Sequence, residues 1–273
     1  MAARHSAGRG ALESMRSFFF SIAYWALSSF YVLLAALASL LPGPGPVQAV
    51  VRFYSHRMLW ALRWFAGIKI DLAGRERLPA GAFILAAKHH SWGDGYVMFA
   101  NVDKVAFVTG DHLEHIPLLR GILRKLGAIV VDSCGGPESR RALADSAAAA
   151  HHDGKRILIY PEGHLAKPGE HFRYRTGVFH MYRDFDMPVV PVATNLGLFW
   201  RQQDFKKTPG TATVEFLAPI PTGLDRREFM ARLETAIETR TCELIAQSTG
   251  EPVKASVLMP TPGEAPSLSA QTA

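Results

Sequence analysis

Residues 82–96 read AFILAAKHHSWGDGY, and this stretch decides the fold. A short apolar run ends abruptly in Lys88-His89-His90 and a Gly-containing turn. Such a run leading into polar, Gly-bearing sequence predicts a buried strand feeding a turn, with a helix starting between Gly93 and Tyr96. His89 then stands at the carboxyl end of a strand, where open α/β sheets place their chemistry. Asp94 follows His89 at a spacing of five. A carboxylate so placed can accept the imidazole ring proton, fix the tautomer and leave the other nitrogen as a base. His89 and Asp94 are therefore a candidate catalytic dyad. From spacing alone, a capping histidine and a helix-starting aspartate remain the alternative.

Outward from this stretch, β-rich runs alternate with helical ones from Ile68 to about Leu217. Strands are expected at 82–87, 104–109, 127–131, 155–160, 188–194 and 211–217. Helices are expected near 95–101, 116–126, 138–153, 175–185 and 225–248. The alternation implies an α/β domain, a mainly parallel sheet flanked by helices, over 68–250. The last helix opens on Asp225-x-x-Glu228 and turns Phe229, Leu233, Ile237, Leu244 and Ile245 inward. The tail, 251–273, is rich in Pro, Ala, Ser and Thr and is expected to be disordered.

Towards the amino terminus the chemistry changes. Residues 1–17 form a basic segment, Arg4, Arg9 and Arg16 against Glu13, and Phe18 to Leu41 then carries no charge at all. That length can cross a bilayer as a helix. LPGPGP breaks it and is a poor context for signal-peptide processing. The following segment sets Arg52, His56 and Arg63 beside Trp60, Trp64 and Phe65, a pattern suited to a membrane interface or to a helix packed on the domain. The expectation is an N-terminal membrane-embedded helical hairpin, 18–67, that enters one leaflet and returns. The basic flank puts the amino terminus, and with it the catalytic domain, on the cytoplasmic side of the membrane. A single full crossing is the alternative and would place the dyad outside.

The net charge of +6 suits an anionic partner. Composition alone fits nucleic acid as well as an anionic membrane surface; with the apolar amino-terminal segment, membrane lipids are the expected partner and nucleic acid is not. Cys134 and Cys242 match no metal or redox spacing and fit a reducing compartment. His112, His115, His151, His152, His164 and His171 match no zinc pattern, so no metal is expected.

A second candidate turn is Pro161-Glu162-Gly163, within ILIYPEGHLAKPGEH and again after a strand. The turn exposes backbone N–H groups, and its glycine permits a substrate to approach the backbone closely. Glu162 either holds a hydroxyl-rich acceptor or anchors the turn through nearby N–H groups.

These blocks together resemble the glycerolipid, or lysophospholipid, acyltransferase family. KHHSWGD resembles that family's His-x4-Asp block, ILIYPEGHLAKPGEH its Phe-Pro-Glu-Gly-Thr-Arg block, and PVVPVATNLGLFW its final block. IPLLRGILRKLGAIVVD falls where the family has its second block. The resemblance spans about 68–217 in the family's order. It implies O-acyl transfer from acyl carrier protein or a CoA thioester to the hydroxyl of a lysolipid, with no resident cofactor. By the same resemblance His89 is the general base, Asp94 its orienter and the Gly163 backbone a candidate oxyanion donor. On and after the Pro-Glu-Gly turn, Glu162, Gly163, His164, Arg173 and Arg175 are candidate substrate contacts.

The chain departs from the family at three basic positions, which are Gly110, Ser133 and Leu165 here. The family uses these around an acceptor phosphate, and an unneutralised phosphate near a partly buried site is costly. Lys167, Arg173, Arg175, Arg140 and Arg141 lie close enough in sequence to substitute. The family default acceptor is 1-acyl-glycerol-3-phosphate. A lysolipid without a phosphate monoester, such as a lyso-ornithine lipid, is the alternative these substitutions raise, and a non-catalytic lipid-binding relative is the other.

Overall fold

The structure, a computed structural model, describes residues 2–116, 118–131, 137–201 and 204–258. Its centre is β2 (Ile84–Ala87), four consecutive buried residues. A strand reads as a continuous apolar run when both faces are covered, as in a parallel sheet with helices on each side. Leu85 and Ala87 pack into one core, and Ile84 and Ala86 into another on the opposite face.

Around β2 run β1 (Ile68–Ala73), β3 (Val105–Gly110), β4 (Ile129–Val131), β5 (Arg156–Ile159), β7 (Val189–Thr194) and β8 (Gly210–Phe216). The seven-stranded sheet has the order β1-β8-β7-β2-β5-β3-β4. All neighbouring pairs are parallel except β7 and β8, which are antiparallel. From β2 the chain moves to β3 and β4 on one side, returns to β5, and then crosses β2 to reach β7. The connection therefore reverses direction beside β2. Open α/β sheets bind ligands at the carboxyl ends of strands at such a switch point.

Helices cover both faces. On one lie α3 (Gly93–Asn101), α1 (Ala2–Ala38) and α2 (Gly45–Ala61), the last running into a π-helical turn at Leu62–Ala66. On the other lie α5 (Pro137–His152), α6 (Gly177–Asp184) and α7 (Arg226–Thr249). Asp225 caps α7, its side chain accepting from the Glu228 N–H, and Gly250 closes the helix with φ of 77°. The five inward residues expected of α7 are all buried.

The hairpin is part of this layered body. Ser17 Oγ accepts from the Lys207 backbone N–H at 2.8 Å, and Glu13 pairs with Lys206 at 2.7 Å. Some 21 residues later, about 30 Å along the helix, Ala35 and Ala38 pack against Ile122 and Leu126 of α4 (Leu119–Leu126). Lys125 Nζ donates to the Leu41 carbonyl at 2.7 Å. The apolar stretch of α1, from Ser17 to Ala38, thus rests on the α/β domain at both of its ends. Its outer side presents Phe18, Phe19, Ile22, Trp25, Phe30, Leu33 and Leu37, all about half-exposed or more.

Three features differ from the sequence reading. Residues 1–17 are not separate from the apolar helix: α1 runs unbroken from Ala2, because nothing between Arg16 and Phe18 breaks a helix. IKIDLA, where no strand was expected, forms β1, because β8 offers a parallel edge for its alternating Ile68, Ile70 and Leu72. The tail is ordered past Glu251: β9 (Ser256–Leu258) pairs in parallel with β6 (Glu170–Phe172). Cys134 and Ser133 lie outside the described residues, as does the tail from residue 259.

Candidate active site

The carboxyl end of β2 turns sharply into α3, and Asp94 builds the turn. Its Oδ2 accepts from the backbone N–H of His90 and of Ser91, both at 2.8 Å. The same oxygen lies 3.1 Å from His89 Nδ1. Asp94 is 2% exposed, so this carboxylate is fixed before any substrate arrives. A carboxylate at Nδ1 keeps the proton there and leaves Nε2 as the basic nitrogen. The His89 side chain retains 20% exposure, enough to meet a substrate group.

A tyrosine completes the clamp on the ring. Tyr160, just past β5, stacks on His89 with centroids 3.9 Å apart and planes at 17°. Among the described residues its buried hydroxyl meets no hydrogen-bond partner, nor does Asp94 Oδ1. Burial, and secondarily the Asp94 charge, push the Tyr160 phenol well above its ordinary pKa, so it stays protonated. His90 is 1% exposed, and burial holds its imidazole well below the ordinary value, so it is neutral. Ser91 is buried, and its hydroxyl accepts from the Gly93 N–H at 3.0 Å, which places it in the turn.

The Pro161-Glu162-Gly163 turn sits at the adjacent strand end and is tied to the first: the Ala166 N–H donates to the His89 carbonyl at 2.9 Å. Of the two alternatives for Glu162, the geometry fits anchoring. Its side chain is fully buried, with Oε1 3.1 Å from Lys88 Nζ and Oε2 accepting from the Phe172 N–H at 3.0 Å. Oε1 also lies 3.4 Å from the His89 N–H. Burial raises the Glu162 pKa, and the Lys88 ammonium pulls it back. Gly163 adopts φ of +69°, as its place in the turn demands. Its N–H donates to the Tyr160 carbonyl at 3.0 Å, which removes it as the expected oxyanion donor in this arrangement.

Arg175 lies across that glycine. A Cβ on Gly163 would come within 2.7 Å of Arg175 Nε, and the guanidinium donates to His164 Nε2 at 3.1 Å. A cation therefore stands beside the turn although Leu165 occupies the family's arginine position. Arg173 and Lys167 are exposed on the same segment. Gly110 ends β3, two strands from β2, and brings no charge. Arg141 is exposed on α5, and the side chain of Arg140 is outside the described residues, as Ser133 is. Among the described residues no group of three or more His, Cys, Asp or Glu gathers as a metal site.

Three buried groups escaped the sequence reading: Lys88, Tyr160 and Glu238. Lys88 continues the alternation of Ile84 and Ala86, and Glu238 interrupts the core-facing stripe of α7 beside Ile237 and Thr241. A charge on an apolar stripe is a legible sign of a buried pair. Nothing in the sequence says which charge it meets.

Known proteins match this arrangement. The Acyltransferase family model matches residues 69–195, which contain both turns. A 1-acyl-sn-glycerol-3-phosphate acyltransferase of Pseudomonas aeruginosa is 24% identical over 238 residues, 87% of this chain and 90% of the relative. Human 1-acyl-sn-glycerol-3-phosphate acyltransferase beta is 26% identical over 179 residues, 64% of each chain. The crystal structure of the 1-acyl-sn-glycerophosphate acyltransferase PlsC from Thermotoga maritima superposes with a TM-score of 0.67 at 20% identity, covering 87% of this chain and 97% of that one. The chain is thus similar to the acyltransferase family over residues 69–195, and to 1-acyl-sn-glycerol-3-phosphate acyltransferases over most of its length.

Proposed function

We propose that this protein is a membrane-associated O-acyltransferase that moves a fatty acyl group from acyl carrier protein or a CoA thioester to the free hydroxyl of a lysolipid. The observation that carries the reading is the fixed Asp94–His89 pair at 3.1 Å, at the switch point of the sheet. His89 Nε2 takes the proton of the acceptor hydroxyl as its oxygen attacks the thioester carbonyl. The tetrahedral intermediate collapses by breaking the C–S bond, and the proton on His89 passes to the departing thiolate. Asp94 holds the proton on Nδ1 and stabilises the imidazolium that forms in between. No enzyme nucleophile is needed, because a thioester is already an activated acyl donor.

The membrane part rests on α1. Its outer face is a row of exposed aromatic and aliphatic side chains, and its apolar stretch docks on one domain at Ser17 and again at Ala35 and Ala38. A perpendicular crossing would carry one end about 30 Å away across the hydrocarbon. A helix lying along the domain, with its apolar face in one leaflet, satisfies both observations. Trp60 and Trp64, exposed on the second arm, extend that face, and Arg57 and Arg63 lie over the Phe53 and Trp64 rings as interfacial cations. The basic amino-terminal flank supports placing the domain on the cytoplasmic face.

The acceptor that the relatives' names supply is 1-acyl-sn-glycerol-3-phosphate, and Arg175 beside Gly163 is the cation suited to its phosphate. Gly110 and Leu165 favour a second reading, in which the headgroup has no phosphate monoester. An acyl-transfer assay with a panel of lysolipids, purified protein and both thioester donors separates them. Selective acylation of 1-acyl-glycerol-3-phosphate, lost in Arg175→Ala, supports the first. Preference for a lyso-ornithine or phosphodiester lysolipid supports the second. An absence of transfer to every lysolipid contradicts the enzyme reading.

A further inference from the structure

Lys88 directly precedes the base, yet its side chain leaves the strand on the opposite face. Leu85 and Ala87 point to the hairpin side, with His89 next in that alternation, while Ile84, Ala86 and Lys88 point towards α7. The ammonium is completely buried. An ammonium has three N–H donors and accepts nothing, and here acceptors surround it. The Glu238 carboxylate lies at 2.9 and 3.0 Å, the Glu170 carbonyl at 3.0 Å and Glu162 Oε1 at 3.1 Å.

Four separate segments therefore meet at one nitrogen: the end of β2, the Pro-Glu-Gly turn, β6 and α7. Each acceptor is itself held. Glu162 bonds the Phe172 N–H, and the Tyr174 hydroxyl donates to Glu238 Oε1 at 2.6 Å. His171 Nε2 lies 3.1 Å from Glu234, a second carboxylate of α7. A buried ammonium between two carboxylates is a poor way to gain stability, since apolar side chains of similar volume often serve as well. α7 already supplies such packing through Phe229, Leu233 and Ile237. What the ionic arrangement adds is direction: it fixes the His89 turn and the Glu162 turn relative to each other.

We infer that Lys88 is a positioning residue for acyl transfer, joining the two strand-end turns through Glu162 and anchoring both to α7 through Glu238. The inference rests on the reading of His89 as the base. It makes the carboxyl-terminal helix, about 150 residues distant in sequence, part of the active-site framework.

The test uses the full-length protein in lipid–detergent micelles, with kcat and KM measured for donor and acceptor and folding followed by near-UV circular dichroism. Lys88→Met is expected to lower kcat about 100-fold, the loss that a displacement of about 1 Å can cause. KM for the thioester is expected to stay within about threefold, because no substrate contact is removed. Lys88→Arg, which keeps the charge and the donors, is expected to recover at least about tenfold of that loss. Glu238→Gln keeps the shape but not the charge and is expected to lower kcat about tenfold. A folded Lys88→Met with kcat within about threefold of wild type overturns the inference. If Lys88→Met does not fold, an unchanged kcat in Glu238→Gln overturns it instead. Should the wild type acylate no lysolipid, the acyltransfer reading fails separately. Amide hydrogen exchange then decides: faster exchange in both 88–95 and 160–166 in Glu238→Gln supports the inference, and exchange unchanged in either turn overturns it.

Discussion

His89 is held on two sides by different forces. Asp94 fixes its tautomer through Nδ1, and Tyr160 fixes the plane of its ring by stacking. Asp94→Asn places an amide where Oδ2 accepts two backbone N–H groups and the ring proton. The favoured imidazole tautomer is lost, and kcat is predicted to fall by about 10³- to 10⁴-fold. Steady-state rates at saturating substrate check this. Tyr160 divides into two predictions because its hydroxyl lacks a partner while its ring has one. Tyr160→Phe removes a desolvated, unbonded hydroxyl and is predicted to raise stability by about 1 kcal/mol, read by thermal unfolding. Tyr160→Leu removes the stacked face and is predicted to lower kcat about tenfold. His89 and Asp94 were legible because a local turn brings residues five apart together. Lys88 and Glu238 were not, because their partnership depends on how α7 docks.

Between elements, the joint of α1 with the segment before β8 carries a titratable signal. Lys207 is 6% exposed and lies against Phe20 and Trp200, its ammonium donating only to the carbonyls of Asp204 and Phe205. Burial lowers its pKa from 10.5 to about 8. A lowered lysine pKa means that the charged amine is costlier in the folded chain than in the unfolded one. Folding stability is therefore predicted to rise with pH between about 8 and 10.5 as the folded-state amine sheds its proton. Lys207→Met should flatten that slope in thermal unfolding measured across the range. The elements themselves show where sequence reading ends. β2, β7 and α7 were legible because burial on both faces, or a capped amphipathic stripe, writes a pattern into the chain. β9 was not, since Ser256–Leu258 is a strand only because β6 offers it an edge. β1 was not either, since the short alternation of Ile68, Ile70 and Leu72 becomes a strand only where β8 offers an edge.

For the whole molecule, the hairpin and the α/β domain are one body with an apolar face. Phe30 and Leu37 are 59% and 65% exposed, so changing them removes little packing within the protein. Phe30→Asp combined with Leu37→Asp is predicted to weaken partitioning to anionic vesicles at least tenfold, since each charge in the acyl region costs about 2.5 kcal/mol or more. Vesicle co-sedimentation reads this, with unchanged near-UV circular dichroism showing that the domain is intact. The α/β class and the long apolar helix were legible from alternation and composition. That the helix lies along the domain was not, because it depends on the contacts of Ser17 and, about 30 Å further along, of Ala38.

The central claim is direct transfer from thioester to lysolipid hydroxyl with His89 as base. Single-turnover acyl transfer by wild type and His89→Ala, with product lipid, free thiol and protein-bound acyl group followed together, tests it most directly. Wild type is expected to form product and thiol in step with no acyl-protein, and His89→Ala to slow both by about 10³-fold. Undiminished transfer by His89→Ala, or an acyl-protein that forms before the acceptor is added, would contradict it.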